Sequence, residues 1–279
     1  MFSVISKKHY AILIAALLLQ ACSSSSRYKI DKDHGPENAV DVSHIKNAVP
    51  KNEPKSKYGN PENYKVLGKW YKVRDSAKGY SQKGIASWYG KKFHGHRTSS
   101  GETYDMYGMT AAHKTLPLPT YVKVTHLENG KSVIVKVNDR GPFHENRIID
   151  LSYSAAKKLG VTRQGTAPVE VTAIDPDEYK KNTPYQPKFN RPSALAASPV
   201  QSNFTLYLQV GAFISQQNAN RLIKRLSRMF KARQIHSDFS DEKNIYRVRI
   251  GPLASVADAD KLSALLNNKG IPSAQIVID

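Results

Sequence analysis

The chain has very little cysteine, few acidic residues and no long hydrophobic run. Cys22 is the one cysteine in 279 residues, so the body after it has no thiol to mispair, which suits an oxidising compartment. The unbroken apolar run at residues 11–19 follows Lys7 and Lys8. It is too short to span a bilayer but is typical of a secretory signal peptide. We therefore expect an exported protein with a signal peptide at residues 1–21.

Acidic side chains are outnumbered, with 23 Asp and Glu against 42 Lys and Arg, which gives a formal net charge of +19. The excess of positive charge is spread along the whole chain, whereas nucleic-acid-binding proteins concentrate it in one stripe. Together with export, this argues against nucleic acid as a partner. A diffuse positive field suits anionic polymers of the cell envelope or lipid surfaces.

The end of the signal peptide, Leu19-Gln20-Ala21-Cys22, resembles a bacterial lipobox. The resemblance implies cleavage before Cys22 and a lipid on its thiol, so that the chain meets the membrane through a lipid anchor. By the same resemblance, Ser23 implies the outer membrane, with the protein facing the periplasm. Gln20 departs from the small residue usual at its position.

Composition divides the mature chain into four parts. Residues 22–63 are rich in Ser, Lys, Asn and Pro, with few large apolar side chains, which predicts a disordered tether. Residues 64–175 form a first domain, which opens with a pair of lead-in strands. Residues 176–202 contain five prolines and are predicted to be a linker. Residues 203–279 form a second domain.

Short strands dominate the first domain. Strands are predicted at 84–89, 120–126, 132–138 and 169–174. Asn129-Gly130 lies between the second and third of them and is a strong hairpin-turn signal. One helix is predicted at 152–159, capped by Ser152 and ended by Gly160. The pattern indicates a compact, mainly β barrel.

The second domain contains an internal repeat at an offset of 40 residues. Val210-Gly211 matches Ile250-Gly251, and Leu222 matches Leu262. Each copy reads as a strand, a glycine turn, a serine-capped helix and a strand. Two such copies predict the β-α-β-β-α-β order of a ferredoxin-like α+β sandwich with one open sheet face.

The run Val133-Ile134-Val135-Lys136-Val137-Asn138-Asp139-Arg140-Gly141-Pro142 carries the main chemical signal. Its valines alternate, so a strand places them on one face, and Asp139 falls on that face by period two. Burial there would raise the pKa of the carboxyl and suit it to general acid catalysis. The alternative is that Asp139 caps a turn, as aspartate often does.

Six ordered motifs resemble those of the rare lipoprotein A family, whose members combine a double-psi β-barrel with a C-terminal SPOR domain. The motifs are Ala86-Ser87-Trp88-Tyr89-Gly90, Phe93-His94-Gly95, Thr98-Ser99-Ser100-Gly101-Glu102, Thr110-Ala111-Ala112-His113, Thr115-Leu116-Pro117 and Asn138-Asp139-Arg140-Gly141-Pro142-Phe143. The resemblance covers the lipobox and both domains, and leaves the linkers unmatched.

The resemblance implies a lytic transglycosylase that cuts the β-1,4 bond between N-acetylmuramic acid and N-acetylglucosamine in peptidoglycan. The products would carry 1,6-anhydro ends, and strands stripped of stem peptides would be preferred. The SPOR domain would bind such denuded glycan and enrich the protein at the division septum. Carried over by position, the catalytic residues are Glu102, His113 and Asp139.

One carboxyl suffices for this reaction, because the sugar's own 6-hydroxyl attacks the anomeric carbon. We assign the proton transfers to Asp139 and expect Glu102 to stay ionised, with His113 hydrogen-bonded to one of the two carboxyls. The two carboxyl roles are reversible at this stage. The alternative function is a non-catalytic, expansin-like wall-binding protein or an envelope tether.

Other side chains have a binding and a structural interpretation. Trp88, Tyr89 and Phe93 could stack on sugar rings, although aromatic residues more often form core. Gln209 and Arg249 occupy equivalent strand positions in the repeats and could meet glycan on the open sheet face, or simply be solvated.

No cofactor or metal is expected. His94 and His96 form one His-x-His pair without a cysteine or a neighbouring carboxylate, which is a thin set of ligands.

Overall fold

The computed structural model describes residues 30, 32–38, 40–182, 204–231, 233–272 and 274–279. The signal peptide, Cys22 and most of the second linker therefore lie outside the described residues. Among the helices that are described, none has the length and apolar character needed to cross a membrane.

The first domain is built on eight strands and one packed helix. The strands are β1 (Asn63–Val66), β2 (Lys69–Lys72), β3 (Ser81–Tyr89), β4 (Thr110–His113), β5 (Thr120–His126), β6 (Ser132–Asp139), β7 (Ile149–Ser152) and β8 (Ala167–Ala173). Six of them close into a barrel in the order β3-β7-β4-β6-β5-β8. The pairs β3–β7 and β4–β6 are parallel, and the others are antiparallel.

The barrel core follows the alternation of the strands. Val133, Val135 and Val137 of β6 are all buried, and the barrel interior also takes Ala111 of β4 and Leu151 of β7. Closure removes the exposed edges that an open sheet would have.

Two local predictions for the barrel are confirmed. β5 and β6 form an antiparallel hairpin around Asn129-Gly130, with Gly130 at φ +68°. Helix α1 (Tyr153–Leu159) begins after Ser152, whose hydroxyl accepts the backbone N–H of Ala155, and it ends at Gly160 in the left-handed conformation.

The N-terminal segment, residues 33–62, differs from the predicted disordered tether because its described residues pack on the barrel. Val42 is buried, and the backbone N–H of Ala48 donates to the carbonyl of Ile134 at 3.0 Å. At the start of the segment, the Asp33 carboxylate accepts the backbone N–H groups of Gly90 at 2.7 Å and Lys92 at 3.0 Å. The segment has few large apolar side chains, which is why its composition predicts disorder. Hydrogen bonds to the barrel, which composition does not reveal, hold it in place.

The predicted lead-in strands pair as a hairpin of β1 and β2. Tyr64 and Tyr71 face each other across it, with ring centroids 5.2 Å apart, and both rings contact Phe143 of the barrel. The hairpin is thereby packed on the chain just beyond β6.

The second domain has the predicted β-α-β-β-α-β order. Its elements are β9 (Leu206–Phe213), α3 (Gln216–Met229), β10 (Ile235–Ser240), β11 (Ile245–Leu253), α4 (Val256–Asn268) and β12 (Gln275–Ile278). The sheet order is β10-β11-β9-β12. Matching positions of the two repeats form its core: Val210 and Ile250 from the strands, and Leu226 and Leu266 from the helices.

The predicted linker at 176–202 begins with a short helix, α2 (Pro176–Asn182), and the rest of it lies outside the described residues. On either side of it, the two domains touch. The Arg147 guanidinium donates to the Asp260 carboxylate of α4, with Nη1 3.2 Å from Oδ1, and Ile85 of β3 packs with the core of the second domain. The second domain therefore contacts the loop that joins β6 to β7.

Gly59 and Gly79 offer a matched test of how the N-terminal segment is seated. Both have positive φ, +78° and +68°, so alanine costs each about 1 kcal/mol of backbone strain. A Cβ on Gly59 would lie 2.7 Å from the carbonyl oxygen of Ser99, whereas one on Gly79 meets nothing within 4 Å. We expect Gly59→Ala to lower the free energy of unfolding by about 1–3 kcal/mol more than Gly79→Ala.

Limited proteolysis and urea unfolding would measure the difference, with faster cleavage in residues 33–62 expected only for Gly59→Ala. Equal losses in the two variants would contradict close packing of the segment against Ser99.

Candidate active site

A β-bulge at the end of β6 sets the position of Asp139. Along the parallel pairing with β4, Ala111 faces Val137 but Ala112 faces Asp139, so Asn138 is the extra residue. Asn138 is almost fully buried, at 2% exposure, whereas Asp139 is only partly buried. The alternation that placed Asp139 on the valine face therefore ends before Asp139, and the carboxyl lies outside the barrel core.

Asp139 is the last of a row of four residues that lie side by side on the neighbouring strands β3, β7, β4 and β6. Ser87 pairs with Asp150, Asp150 pairs with Ala112, and Ala112 pairs with Asp139. Paired residues project from the same face of a sheet, and two strand spacings put the Cα atoms of the two aspartates about 10 Å apart. Ala112, which lies between them, is 4% exposed and has only a methyl side chain.

Gly141 lies beside this row. Its φ is +143°, and a Cβ there would lie 3.7 Å from the Ala112 side chain and 3.9 Å from Oδ2 of Asp150. A side chain at this position would strain the backbone and occupy the space between the two aspartates.

The Asp139 carboxylate is surrounded by donors. Its Oδ1 accepts the Ser99 backbone N–H at 2.8 Å, the Ser99 hydroxyl at 2.6 Å and the Arg140 backbone N–H at 2.7 Å. These three donors fix the position of the carboxyl. Ser99 belongs to the Thr98-Ser99-Ser100-Gly101-Glu102 motif, but no sequence pattern pairs it with Asp139.

Asp150, on the other side of Ala112, has a shifted pKa. Burial raises its pKa to about 6, although the hydrogen bond from Ser87 and the positive charges of Arg147 and Lys114 oppose the shift. A carboxyl with such a pKa holds a proton at mildly acidic pH, as a general acid must. Sequence reasoning missed Asp150, because a polar residue between Ile149 and Leu151 reads as the solvent side of a strand.

Glu102 lies beside Asp139 and is linked to it through β6. Its Oε2 accepts Nδ2 of Asn138 at 2.7 Å, and its Oε1 accepts Nζ of Lys136 at 2.8 Å. Lys136 also binds Glu53 at 2.9 Å. Burial alone would lower the pKa of Lys136, but its hydrogen bonds and ion pairs with Glu102 and Glu53 outweigh burial and raise it. The lysine is therefore a fixed positive charge.

His113 contacts neither Glu102 nor Asp139. Its Nδ1 accepts the backbone N–H groups of Thr115 at 3.1 Å and Leu116 at 3.0 Å, so its proton is on Nε2, which lies 2.9 Å from the Tyr80 hydroxyl. Burial, followed by nearby positive charges, lowers its pKa to about 3. The ring is therefore neutral at physiological pH and does not tune either carboxyl directly.

The backbone of His113 connects it to the site through Arg140. Nη1 of Arg140 donates to the carbonyls of His113 at 3.1 Å and Leu116 at 2.5 Å, and Nε donates to the carbonyl of Gly59 at 2.8 Å. Arg140 follows Asp139 in the chain. His113 accepts hydrogen bonds from the turn at residues 115–116, and carbonyls of this turn region hold the Arg140 side chain. His113 therefore helps to fix the residue that follows Asp139.

The predicted aromatic contacts are packed on one another. Tyr89 stacks on Tyr104 with centroids 4.1 Å apart, and Phe93 meets the edge of Tyr89 at 6.0 Å. Trp88 contacts Tyr153 at 5.8 Å and is only partly buried. Their contact with sugar remains a prediction, and Trp88 and Phe93 keep some exposed surface for it.

In the second domain, Gln209 and Arg249 are direct cross-strand neighbours, as their equivalent positions require. Arg249 is 8% exposed and its guanidinium pairs with Asp279 and Asp238. The pair therefore presents mainly Gln209 on the sheet face, and glycan binding by either residue stays a prediction.

His94 and His96 belong to no metal cluster. Within the described ranges, no three His, Cys, Asp or Glu side chains are grouped to hold a metal ion. Nδ1 of His94 accepts the backbone N–H of Met106 at 3.2 Å.

Comparisons with known proteins first define a class. A family model described as lytic transglycolase matches residues 81–171, and a SPOR domain model matches residues 202–278. The closed barrel and the four-stranded domain described above are thus a double-psi β-barrel and a SPOR domain, which confirms the predicted fold class.

Relatives then define the family. The chain is 40% identical over 320 residues to the endolytic peptidoglycan transglycosylase RlpA of Pseudomonas aeruginosa, covering 93% of each chain. It is 53% identical over 176 residues to RlpA of Vibrio cholerae, covering 63% of this chain and 66% of that one. RlpA of Neisseria meningitidis serogroup B is 42% identical over 203 residues, covering 72% and 77%. The chain belongs to the RlpA family.

The raised pKa of Asp150 predicts a stability change with pH. Because the pKa of about 6 lies above the ordinary 3.8, folding favours the protonated form. That stabilisation is complete below pH 3.8 and is lost as pH rises through about 6. Asp150→Asn should therefore be more stable than the parent at pH 8, by up to about 3 kcal/mol, and similar to it below pH 4.

Urea unfolding followed by tryptophan fluorescence would measure this, since both tryptophans, Trp70 and Trp88, belong to the barrel domain. Asp139→Asn is the matched control and should destabilise at pH 8, because three donors lose a charged acceptor. A parent stability independent of pH between 4 and 8 would rule out a buried titrating Asp150.

Proposed function

We propose that this protein is a lytic transglycosylase of the peptidoglycan cell wall. It cleaves the β-1,4 bond between N-acetylmuramic acid and N-acetylglucosamine in denuded glycan strands and leaves 1,6-anhydro ends. Membership of the RlpA family supports the substrate class. The observation that carries the chemistry is the row holding Asp150 and Asp139 on either side of Ala112, the first carboxyl with a raised pKa and the second hydrogen-bonded to three donors.

We assign the proton transfers to Asp150, in place of Asp139, which the sequence favoured. Protonated Asp150 gives its proton to the bridging oxygen as the bond from C1 of the muramic acid to that oxygen breaks. The 6-hydroxyl of the same sugar then bonds to C1, and its proton passes to the Asp150 carboxylate. Asp150 ends protonated, so the cycle closes without a water molecule, a cofactor or a second catalytic acid.

Asp139 supplies negative charge in this mechanism. The anomeric carbon gains positive charge in the oxocarbenium-like transition state, and a carboxylate held in place by hydrogen bonds from Ser99 and the Arg140 backbone stabilises that charge from a fixed position. Its hydrogen bonds are already formed before the reaction, so little reorganisation is needed.

Glu102 and His113 support the site differently. Glu102 is half exposed, with 45% of its side-chain surface accessible, and it lies where hydrogen bonds that it accepts from sugar hydroxyls would strengthen in the transition state. His113 acts through Arg140 as a positioning residue. This assignment accounts for a histidine in the motif set that touches no carboxyl.

The chain's placement in the cell follows from its other parts. The SPOR domain supports binding to denuded glycan and enrichment at the division septum in the periplasm. Lipidation of Cys22 would add anchoring in the outer membrane.

Products of digestion test the function and the assignment together. The full chain in detergent, incubated with amidase-treated sacculi, should release fragments with 1,6-anhydro ends, identified by mass spectrometry. Asp150→Asn should lose about 10²–10⁴-fold in rate, as expected for removal of a general acid. The parent rate should fall as pH rises above about 6, because Asp150 loses its proton.

The Asp139→Asn variant separates the two carboxyls. It should lower the rate without abolishing the fall above pH 6. A profile that loses this fall in Asp139→Asn but keeps it in Asp150→Asn would reverse the assignment. Binding of sacculi without any anhydro product from the parent would favour the non-catalytic alternative, an expansin-like wall-binding protein or tether.

A further inference from the structure

The polar network around Glu102 extends beyond the barrel. The matched lytic transglycolase model begins at residue 81, whereas Lys136, which binds Glu102, is also bound by Glu53 of the N-terminal segment. We propose that Glu53 is a positioning residue of the active site, acting on Glu102 through Lys136, so that the N-terminal segment is part of the catalytic unit. This inference rests on the proposed function.

Lys136 lies between two carboxylates. Its Nζ is 2.9 Å from Oε2 of Glu53 and 2.8 Å from Oε1 of Glu102, and its side chain is 19% exposed. The Tyr121 hydroxyl donates to the other oxygen of Glu53. Although burial alone would raise the pKa of Glu53, the hydrogen bonds and charge it receives from Tyr121 and Lys136 lower it, so Glu53 stays ionised.

A lysine held by one carboxylate is poorly fixed. Its four-carbon stem rotates freely and its ammonium is a point charge without the planar geometry of arginine. A second carboxylate on the opposite side restricts the ammonium to one place. Without Glu53, Lys136 would be free to move with Glu102, and the loop at residues 99–102 would lose one of its fixed supports.

Contacts of the same segment reach two further parts of the site. The Tyr58 ring lies against Gly101, 3.2 Å from where a Cβ would stand, next to Glu102. The carbonyl of Gly59 and Oδ1 of Asn60 accept Nε and Nη2 of Arg140. Residues 53–60 therefore contact the partners of both Glu102 and Asp139, which a simple tether would not need.

A double-mutant cycle on soluble denuded glycan strands tests the proposal in the full chain. Glu53→Gln should lower kcat about tenfold, since small misplacements of catalytic groups carry costs of this order or larger, with KM within about twofold. In a Lys136→Met background, Glu53→Gln should have no further effect, because its influence passes through the lysine.

Glu37→Gln is the matched control. Glu37 lies in the same segment and pairs with Lys91 at 2.6 Å, away from Glu102, so this variant should keep the parental kcat. Hydrogen exchange gives a readout that does not depend on activity. Glu53→Gln should speed exchange of the amides at 99–102, and Glu37→Gln should not.

The outcomes separate the two proposals. An active parent with unchanged kcat and exchange in Glu53→Gln, or additive losses in the double variant, would overturn the role of Glu53. Equal losses of kcat in Glu37→Gln would also overturn it, because they would mean that Glu53 only seats the segment. A parent without anhydro product, but with faster exchange at 99–102 in Glu53→Gln, would refute the proposed function and retain the structural coupling.

Discussion

The candidate active site depends on the two edges of one short strand. β4 is four residues long, pairs parallel with β6 on one side and antiparallel with β7 on the other, and so places Asp139 and Asp150 level with Ala112. Because both neighbours are hydrogen-bonded to the same strand, the separation of the carboxyls is a property of the barrel and not of flexible loops. Each carboxyl has its own donors, Ser99 and the Arg140 backbone for Asp139 and the Ser87 hydroxyl for Asp150.

The end of β6 also holds the other carboxyl of the candidate site. Asn138 and Lys136, two residues apart on the strand, both bind Glu102, with Nδ2 of Asn138 2.7 Å and Nζ of Lys136 2.8 Å from its oxygens. Residues two apart share one face of a strand, so the alternation holds through Asn138, and the bulge moves Asp139 off the valine face. Both carboxyls are thereby held by the last four residues of β6.

The sequence predicted those parts of the fold that local pattern controls. The Asn129-Gly130 hairpin, the Ser152-capped helix and the repeat of the second domain all have signals within a few residues or a regular spacing. β4 and β7 were not predicted as strands, since each has four residues and too few alternations to show a period. These two strands carry Ala112 and Asp150, so the carboxyl with the raised pKa was missed along with them. The prediction of disorder was wrong for residues 33–62, because hydrogen bonds to backbone groups far away in the sequence cannot be read from composition.

The Asp33 carboxylate, which binds the amides of Gly90 and Lys92, has a mechanical consequence. Glu53, Tyr58 and Gly59 all lie C-terminal to it. A pull arriving from the N-terminal side of the chain would load these two hydrogen bonds before it reached any residue near Lys136. Force applied from the N-terminal side would therefore be transmitted to the barrel at residues 90–92 through Asp33. The residues around Glu53 and Lys136 would carry that force only after these hydrogen bonds break.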